Sequence, residues 1–209
     1  TLNACYFQGD AESCSRIFRD QNGNLWRGDG YVQDLNVNIG SLQTSGVDLN
    51  LNYSGVEMGT FGSLSFNMTG TYLDELITNP GLAGVEEYDC KGLYSGSCGV
   101  PSPEWRHHAR LGWQTPWSVD LSLTWRYFGS VEEFRGNPVQ LDYELDAVNY
   151  FDLAANWAVT EKASILVGVN NVLDTDPPIT SAVGTTGNGN TFPQTYDALG
   201  RWIFLRGSI

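Results

Sequence analysis

The chain of 209 residues has few basic side chains and no long hydrophobic run. Lysine and arginine together number 11 against 24 acidic residues, which gives a formal net charge of -13. This charge disfavours binding to nucleic-acid phosphates or to an anionic membrane surface, so we expect no nucleic-acid partner. No apolar segment approaches the roughly 18 residues that a membrane-spanning helix requires. That absence excludes a helical membrane protein only, because half of each strand in a membrane β-barrel is polar.

Motifs of catalysis and of cofactor binding are also missing. The sequence has no nucleophile elbow, no Gly-rich phosphate loop and no zinc-type spacing of ligands. We therefore expect neither an enzyme nor a bound cofactor or metal. His107 and His108 are adjacent on a predicted strand, so they face opposite sides and cannot ligate one metal together. We interpret them as one interfacial and one interior residue.

The four cysteines lack the CxxC spacing of metal and redox sites. They form two local pairs, Cys5 with Cys14 and Cys90 with Cys98, each in a polar, turn-rich segment. Free cysteines are usually buried, so this placement favours two short-range disulfides formed in an oxidising compartment. The chain also starts at Thr1, without Met or a signal peptide, in loop-like sequence. We expect it to be a piece of a longer polypeptide.

The residues that are abundant indicate an all-β chain. Aromatic side chains favour strands, and the 24 glycines favour turns. Apolar and polar residues alternate in segments of about ten residues, apart from a possible short helix at residues 11–19. The alternating segments are residues 31–53 (one long strand or two), 64–72, 105–114, 119–127, 151–157, 163–170 and 200–209.

The connections between these segments alternate between short and long. Three are short, at residues 55–62, 115–118 and 160–162, and three are long, at about 76–104, 129–148 and 175–198. Soluble strands cluster near five or six residues, whereas about ten are needed to cross a bilayer at a tilt. Aromatic residues at both ends of the segments match the two interfacial girdles of a membrane barrel. The pattern predicts a transmembrane antiparallel β-barrel with short periplasmic turns and long extracellular loops, rather than a soluble sandwich.

Three stretches resemble a known family. Residues 170–174 (Asn-Asn-Val-Leu-Asp) resemble the N-L-x-D signature that follows the penultimate strand of TonB-dependent receptors. Residues 199–209 resemble the closing strand of those receptors, although the chain ends on Ile209 instead of a terminal aromatic residue. Residues 38–48 resemble the stretch at which such receptors re-enter the membrane. By this resemblance, residues 1–209 are the C-terminal part of the β-barrel of a TonB-dependent outer-membrane receptor.

The resemblance implies a fold, a location and a mechanism. The chain would supply about seven strands of a barrel of about 22, with the plug domain and the TonB-contacting box outside it. The expected location is the outer membrane of a Gram-negative cell, in contact with its lipid, with extracellular loops braced by the two disulfides. The expected function is energised uptake, driven through TonB and the plug, of a scarce ligand such as a siderophore or an oligosaccharide.

Candidate ligand-binding residues are the loop aromatics Trp26, Tyr94 and Phe134. Each has a ring that suits stacking on a sugar or an aromatic siderophore, and packing within the loops explains them equally well. A second set is basic and should face the barrel interior, where contact with the plug or with water is favoured over contact with an anionic ligand: Arg106, Arg110 and Arg126. A third set is acidic, and we expect solvated side chains rather than a calcium site: Glu132, Glu133, Asp142, Glu144 and Asp146.

Two other hypotheses remain open from the sequence. A secreted all-β carbohydrate-binding module would use the aromatic and acidic loops as its site. A small closed membrane barrel would need an even number of strands, which splitting residues 31–53 into two strands would supply.

Overall fold

The computed structural model describes residues 1–33, 40–82, 84–181 and 187–209. Some predicted features therefore lie outside the described residues. They are strand residues 34–39, the first part of the stretch 38–48, and parts of the predicted long loops 76–104 and 175–198. The chain divides into two compact units. One comprises Thr1–Gln43 and Ile77–Asp89, and the other comprises Thr44–Leu76 and Cys90–Ile209.

Strands dominate the described secondary structure. The two helices are α1, Leu2–Gln8, and α2, Ala11–Ser15, and a single 3-10 turn covers Gly59–Phe61. The short strands are β1 Ile17–Phe18, β2 Tyr31–Val32, β5 Tyr88–Asp89, β6 Leu93–Ser95, β7 Gly99–Ser102, β10 Val131–Glu133 and β11 Glu144–Leu145. The long strands are β3 Ser41–Glu57, β4 Ser63–Asn79, β8 Trp105–Gln114, β9 Val119–Phe128, β12 Val148–Thr160, β13 Ala163–Asn170 and β14 Trp202–Ser208. No helix among the described residues has the length and apolar character needed to cross a membrane.

The seven long strands form one antiparallel meander. Their order in the sheet is β14-β13-β12-β9-β8-β4-β3, so each strand lies beside its neighbour among the long strands of the chain. Within the described residues, β3 and β14 are the two ends of this order, and the sheet does not close on itself. The predicted count of seven strands is confirmed for the part of the chain that the structure describes.

The first predicted strand differs from the observed one. Residues 31–53 were expected to form one long strand or two strands. Instead, Tyr31–Val32 pairs with Ile17–Phe18 in a separate two-stranded ribbon, and the strand of the main sheet begins at Ser41. Among the described residues of this segment, those before Ser41 add no strand to the meander, so they give no support to a small even-stranded barrel.

The main sheet has one apolar face, which is exposed along its length. Leu111, Leu123 and Leu153 lie in one cross-strand row, because Leu111 is paired with Leu123 and Leu123 with Leu153. Each of these leucines is more than a third exposed, and Ile203 and Leu205 at the edge are 72% and 74% exposed. A continuous exposed apolar surface of this kind is typical of contact with lipid or with another protein.

Aromatic side chains flank the apolar face at both strand ends. At the end beside the short connections, the Trp113 ring meets Trp117 edge-on at 6.2 Å, and its Nε1 donates to the backbone oxygen of Phe61 at 2.8 Å. At the other end, Trp125 stacks on Phe151 at 6.2 Å and lies edge-on to His107 at 4.3 Å. His107 accepts a hydrogen bond from Trp105 Nε1 at Nδ1, so this histidine belongs to the aromatic girdle, as expected of an interfacial residue.

The long connections of the second unit are not simple loops. Four short strands within them form a second sheet in the order β11-β10-β6-β7. This sheet contributes to a buried core together with β12 and the connection between β13 and β14. The core residues are Tyr94, Val131, Leu145, Val148, Tyr150, Phe192 and Tyr196. These core residues bring together parts of three connections, β4–β8, β9–β12 and β13–β14. We call this assembly the loop cap. The sequence predicted its segments only as loops.

The first unit carries one of the two disulfides. Cys5 of α1 is bonded to Cys14 of α2, with 4.7 Å between the Cα atoms. Asp10 begins α2 by accepting a hydrogen bond from the Ser13 amide at 2.9 Å, a common N-cap contact. The predicted helix at residues 11–19 ends early, at Ser15, because Ile17–Phe18 joins the ribbon with β2.

The connection between β3 and β4 gives a stability prediction. Gly62 has φ 89° and ψ -149°, a backbone region that is essentially limited to glycine, and an added Cβ would lie 1.9 Å from the backbone oxygen of Gln114. Gly59 also has a positive φ, but its Cβ would meet nothing within 4 Å. Strain alone costs about 1–3 kcal/mol at Gly62, and displacement of strand β8 adds to it, whereas Gly59→Ala costs about 1 kcal/mol.

The test compares Gly62→Ala with Gly59→Ala in the intact protein that contains this chain. The measured quantity is the temperature at which the folded band is lost on a gel. Gly62→Ala should lower that temperature clearly more than Gly59→Ala. Equal shifts would show that the close approach between Gly62 and Gln114 does not exist in the folded protein.

Candidate functional site

On the polar face of the main sheet, one arginine forms ion pairs with two carboxylates. Arg126, on β9, donates to Asp152 on β12 through Nε at 2.8 Å and Nη2 at 2.9 Å. The same guanidinium donates to Asp197 through Nη1 at 2.9 Å and Nη2 at 2.6 Å. Asp197 belongs to the connection between β13 and β14, so Arg126 joins the loop cap to the sheet. Two-pronged contacts of this type are the strong form of an ion pair.

Tyr150 supports this cluster. Its ring lies 4.9 Å below the Arg126 guanidinium, and its hydroxyl oxygen accepts from the Asp197 amide at 3.2 Å. The side chain is completely buried in the core of the loop cap. Arg126 is therefore held by two carboxylates and one aromatic face, and the cluster is a structural connection between wall and cap.

The turn after β13 explains why residues 170–174 have their pattern. Asn171 has φ 51°, which asparagine tolerates better than most residues, and its buried amide exchanges two 2.9 Å hydrogen bonds with the backbone of Thr175. The backbone N–H of Asn171 also donates to the Asp152 carboxylate at 2.9 Å. Asp174 accepts from the backbone N–H of Arg201, just before β14, at 2.8 Å. The motif thus fixes both ends of the β13–β14 connection.

Tyr94 and Asp142 connect the three parts of the loop cap. The Tyr94 ring is buried and meets Phe192 edge-on at 5.9 Å, while its hydroxyl donates to the backbone oxygen of Asp142. Burial raises the pKa of Tyr94, because the charged phenolate is disfavoured away from water. The Asp142 carboxylate accepts from the amide and the hydroxyl of Ser181, each at 2.7 Å. The hydrogen bond from the Ser181 amide is the main cause of a lowered pKa of Asp142.

This lowered pKa predicts an acid-sensitive contact. A carboxylate with a pKa lowered by folding stabilises the folded form above its unfolded value of about 4, and the contribution is lost as pH falls through the folded pKa. The segment around Ser181 should therefore stay protected from protease at neutral pH and become cleavable below about pH 4. Pepsin digestion of the intact protein at decreasing pH measures this.

Two variants separate this contact from general acid unfolding. Asp142→Ala should expose the Ser181 segment to an acid-tolerant protease even at mildly acidic pH. Asp146→Ala removes an exposed carboxylate of the same connection and should leave protection unchanged. Equal cleavage of the two variants would contradict the role of Asp142.

A recess of about 440 Å³ lies on the polar face beside this cluster. Its lining comes from four neighbouring strands and combines basic and hydroxyl-bearing residues with apolar ones. The lining includes two arginines, Arg106 and Arg126, and the adjacent histidines 107 and 108, and the other residues include Asp48, Thr69 and Thr71. The Thr71 hydroxyl donates to Asp48 at 2.8 Å. The recess size is in the range of small-molecule sites.

Comparison with protein families identifies the fold that these elements belong to. The family model described as TonB dependent receptor-like, beta-barrel, matches residues 3–172 of the chain. The chain belongs to this family. The resemblance stated from the sequence is therefore confirmed, and the open antiparallel sheet is part of a transmembrane β-barrel. TonB-dependent receptors are outer-membrane transporters of Gram-negative bacteria rather than enzymes.

Solved receptors show the size of the piece. The ferric enterobactin receptor of Pseudomonas aeruginosa is 16% identical, with a TM-score of 0.49, and the match covers 79% of this chain and 22% of that one. The ferric-catecholate import receptor of E. coli K12 is 14% identical, with a TM-score of 0.49, over 92% of this chain and 23% of that one. This chain thus spans less than a quarter of the length of either receptor. No curated protein sequence matches it.

The structure places the three loop aromatics of this receptor segment in different settings. Trp26 is 75% exposed and lines a recess of about 460 Å³ with residues of α1. Phe134 is half-buried, with the Arg135 guanidinium 4.8 Å from its ring. Tyr94 is a core residue of the loop cap, without a ring face open to solvent. Trp26 lies in the first unit, and the other two lie in the second.

Two acidic residues of the β10–β12 region have partners within the protein. Glu132 accepts from the Tyr143 hydroxyl at 2.7 Å, and Asp142 is bonded to Ser181. Across the described ranges, no group of three or more His, Cys, Asp or Glu side chains is arranged to hold a metal ion.

Sequence reasoning missed the partners of Arg126. Alternation predicted correctly that Arg126 faces the polar side with Arg106 and Arg110, but plug, water or ligand contact was expected. Instead, Arg126 pairs with Asp152 and Asp197. Asp152 lies on the neighbouring strand β12 and on the same face as Arg126. The alternation of the two strands could therefore have indicated this partner. Asp197 lies 71 residues away in a connection without a periodic pattern, so no local signal pointed to it.

Proposed function

We propose that this chain forms part of the wall and outer loops of a transporter that takes up a scarce ligand with energy supplied through TonB. The family match over residues 3–172 carries this proposal, because it includes six of the seven wall strands and two of the three long connections. The long connections would face the cell exterior and capture the ligand. TonB would act on a plug domain encoded upstream, and the strands described here would bound the path that the rearranged plug opens.

The organisation of the loop cap supports a capture role. Its three connections share one buried core, Cys90 is bonded to Cys98 within it, and Arg126 fixes it to the wall. A surface held in this way loses little conformational entropy when a ligand binds, which favours affinity at low ligand concentration. We propose a siderophore or an oligosaccharide as the ligand class.

The loop aromatics remain candidates for ligand contact within this proposal. Trp26 has the most accessible ring of the three, and Phe134 is partly accessible. Stacking of a sugar or an aromatic chelator on such rings contributes through dispersion and burial of apolar area. Tyr94 would act indirectly, by holding the cap in shape.

Whole-cell uptake tests the proposal. The intact receptor is produced in cells that lack their own siderophore receptors, and the probes are ⁵⁵Fe complexes of catecholate, hydroxamate and carboxylate siderophores and labelled malto-oligosaccharides. We expect receptor-dependent accumulation of at least one probe, abolished when TonB is deleted. Accumulation that is unchanged without TonB would contradict energised transport. A secreted carbohydrate-binding module would give no accumulation and would release the protein into the medium.

A further inference from the structure

A recess of about 490 Å³ lies in the surface of the loop cap, between the β9–β12 and β13–β14 connections. Its lining comes from residues 141–149 on one side and residues 173–179 on the other. Three of its apolar side chains are largely exposed, Leu141 at 104%, Ile179 at 70% and Leu173 at 65%. Exposed apolar side chains grouped around a recess are typical of a binding surface. We call this feature the cap recess.

The two sides of the cap recess are held together by hydrogen bonds of the protein itself. The Thr175 hydroxyl donates to the backbone oxygen of Asn149 at 3.4 Å, which joins one side to the other. Asn171 fixes the backbone of Thr175 through two bonds of 2.9 Å, and Asp142 accepts from the Ser181 amide at 2.7 Å. The recess is therefore formed before anything binds, which lowers the entropic cost of binding.

The cap recess borders the aromatic girdle at the strand ends opposite the short connections. Asn149, which lines the recess, accepts a hydrogen bond from Trp125 Nε1 at 2.8 Å. The proposed orientation turns this end of the sheet to the cell exterior. Exposed carboxylates around the recess keep it out of the lipid hydrocarbon, because a charged side chain is costly there. An occupant would therefore arrive from the aqueous exterior.

The charged residues of the cap recess all have the same sign. Among the described residues that line it, the charged ones are Glu144, Asp146 and Asp176, and all three are exposed. Within the described part of the chain, none of the three forms an ion pair. Glu144 also lies directly opposite Glu132 in the β10–β11 pair, and like charges in that position repel each other. A positively charged occupant would offset this repulsion.

We propose that the cap recess binds a cationic peptide segment that carries apolar side chains beside lysine or arginine. Apolar side chains of the peptide would pack between Leu141 and Ile179, and its cationic groups would pair with the three carboxylates at the rim. The chain's net charge of -13 favours the approach of such a peptide and disfavours an anionic one. This binding surface goes beyond the proposed transport function, since it lies on the cap and not along the polar face of the wall.

Fluorescence anisotropy tests the proposal with a labelled hexapeptide of alternating lysine and leucine. The intact receptor is held in phosphatidylcholine nanodiscs, and empty nanodiscs measure the binding of the peptide to lipid. We expect saturable binding to the receptor that weakens as the salt concentration rises, because salt screens exposed charges. A counterpart peptide with glutamate in place of lysine should not bind.

The first variant neutralises the three carboxylates at the rim: Glu144→Gln, Asp146→Asn and Asp176→Asn. It should weaken binding of the lysine peptide about tenfold, because each exposed ion pair contributes up to about fivefold.

A matched control neutralises three exposed carboxylates outside the recess: Asp29→Asn, Glu57→Gln and Glu161→Gln. This control should bind within about twofold of the unmodified receptor. Equal weakening by the two triple variants would show a general effect of net charge and would overturn the proposal.

A second pair of variants tests the apolar part of the cap recess. Leu141→Ala combined with Ile179→Ala should weaken binding of the lysine peptide several-fold, because apolar area is no longer buried. Val139→Ala combined with Leu199→Ala is the control, since these side chains are 88% and 90% exposed and lie outside the lining. Equal loss in both double variants would show non-specific apolar binding and would contradict a site in the recess.

Three further outcomes would also overturn the proposal. One is a receptor that binds no more peptide than empty nanodiscs do. Another is binding in detergent that is absent in nanodiscs, which would show that lipid covers the recess. The third is a rim variant that unfolds at a lower temperature with peptide binding unchanged, which would show that the carboxylates pair with another part of the receptor. TonB-dependent accumulation in cells is a separate measurement, so failure here is distinct from failure of the proposed transport function.

Discussion

Replacing Arg126 with glutamine should release the β13–β14 connection from the barrel wall. The variant leaves the carboxylates of Asp152 and Asp197 without their cationic partner, and both are largely shielded, with side-chain exposures of 16% and 23%. Removal of one partner from a buried ion pair costs about 3–5 kcal/mol, and we expect about 3 kcal/mol here because the groups keep some contact with water. Protease cleavage within residues 187–201 of the intact receptor should become much faster.

Arg201→Gln is the matched control for this prediction. Arg201 pairs with Asp174 at 3.4 Å in the same connection, but both side chains are about half exposed. Such a pair contributes about 0.2–1 kcal/mol, so cleavage should change little. Arg126→Lys is also informative, because it keeps the charge but cannot make two forked contacts. If Arg126→Gln and Arg201→Gln open the connection equally, the cluster at Arg126 does not hold the cap.

Replacing Tyr94 with alanine should disrupt the loop cap as strongly. The ring is fully buried against Phe192 and belongs to the core shared by three connections. Truncation of a large buried aromatic residue costs about 3–5 kcal/mol, whereas Tyr94→Phe loses only a hydrogen bond, worth about 1 kcal/mol. Hydrogen exchange of the cap amides should rise steeply for Tyr94→Ala and slightly for Tyr94→Phe.

The same pair of variants separates packing from ligand stacking. If Tyr94 acts by packing, Tyr94→Phe keeps both the cap and uptake. Trp26→Ala is a separate comparison, because it removes an exposed ring and should affect uptake without changing cap protection. If Tyr94→Phe abolishes uptake while the cap stays protected, its hydroxyl contacts the ligand and the packing role is insufficient.

The long strands were predictable because each has one apolar and one polar face. In residues 105–114 and 119–127 the two-residue period is nearly unbroken, and the observed strands Trp105–Gln114 and Val119–Phe128 agree within one residue. Register follows from the same period, since a slip of one residue would turn Leu123 to the polar face. The family resemblance added the connectivity of the barrel.

The loop cap was not predictable in the same way. Its strands are two to three residues long, except the four of Gly99–Ser102, and such lengths give no measurable period. Its core forms from contacts between distant segments, such as Tyr94 with Phe192, and no local pattern encodes which segments meet. For the same reason Tyr94 could be assigned equally to ligand binding or to packing from sequence, and only its burial separates the two settings.

Fractionation of the source cells tests most directly whether this chain belongs to a large outer-membrane receptor. An antibody against residues 86–102, a segment of the first long connection that contains the Cys90–Cys98 disulfide, is used to blot soluble, inner-membrane and outer-membrane fractions. We expect a heat-modifiable band in the outer membrane, several times larger than the 23.0 kDa of this chain. A soluble or secreted band at 23.0 kDa would contradict the receptor assignment.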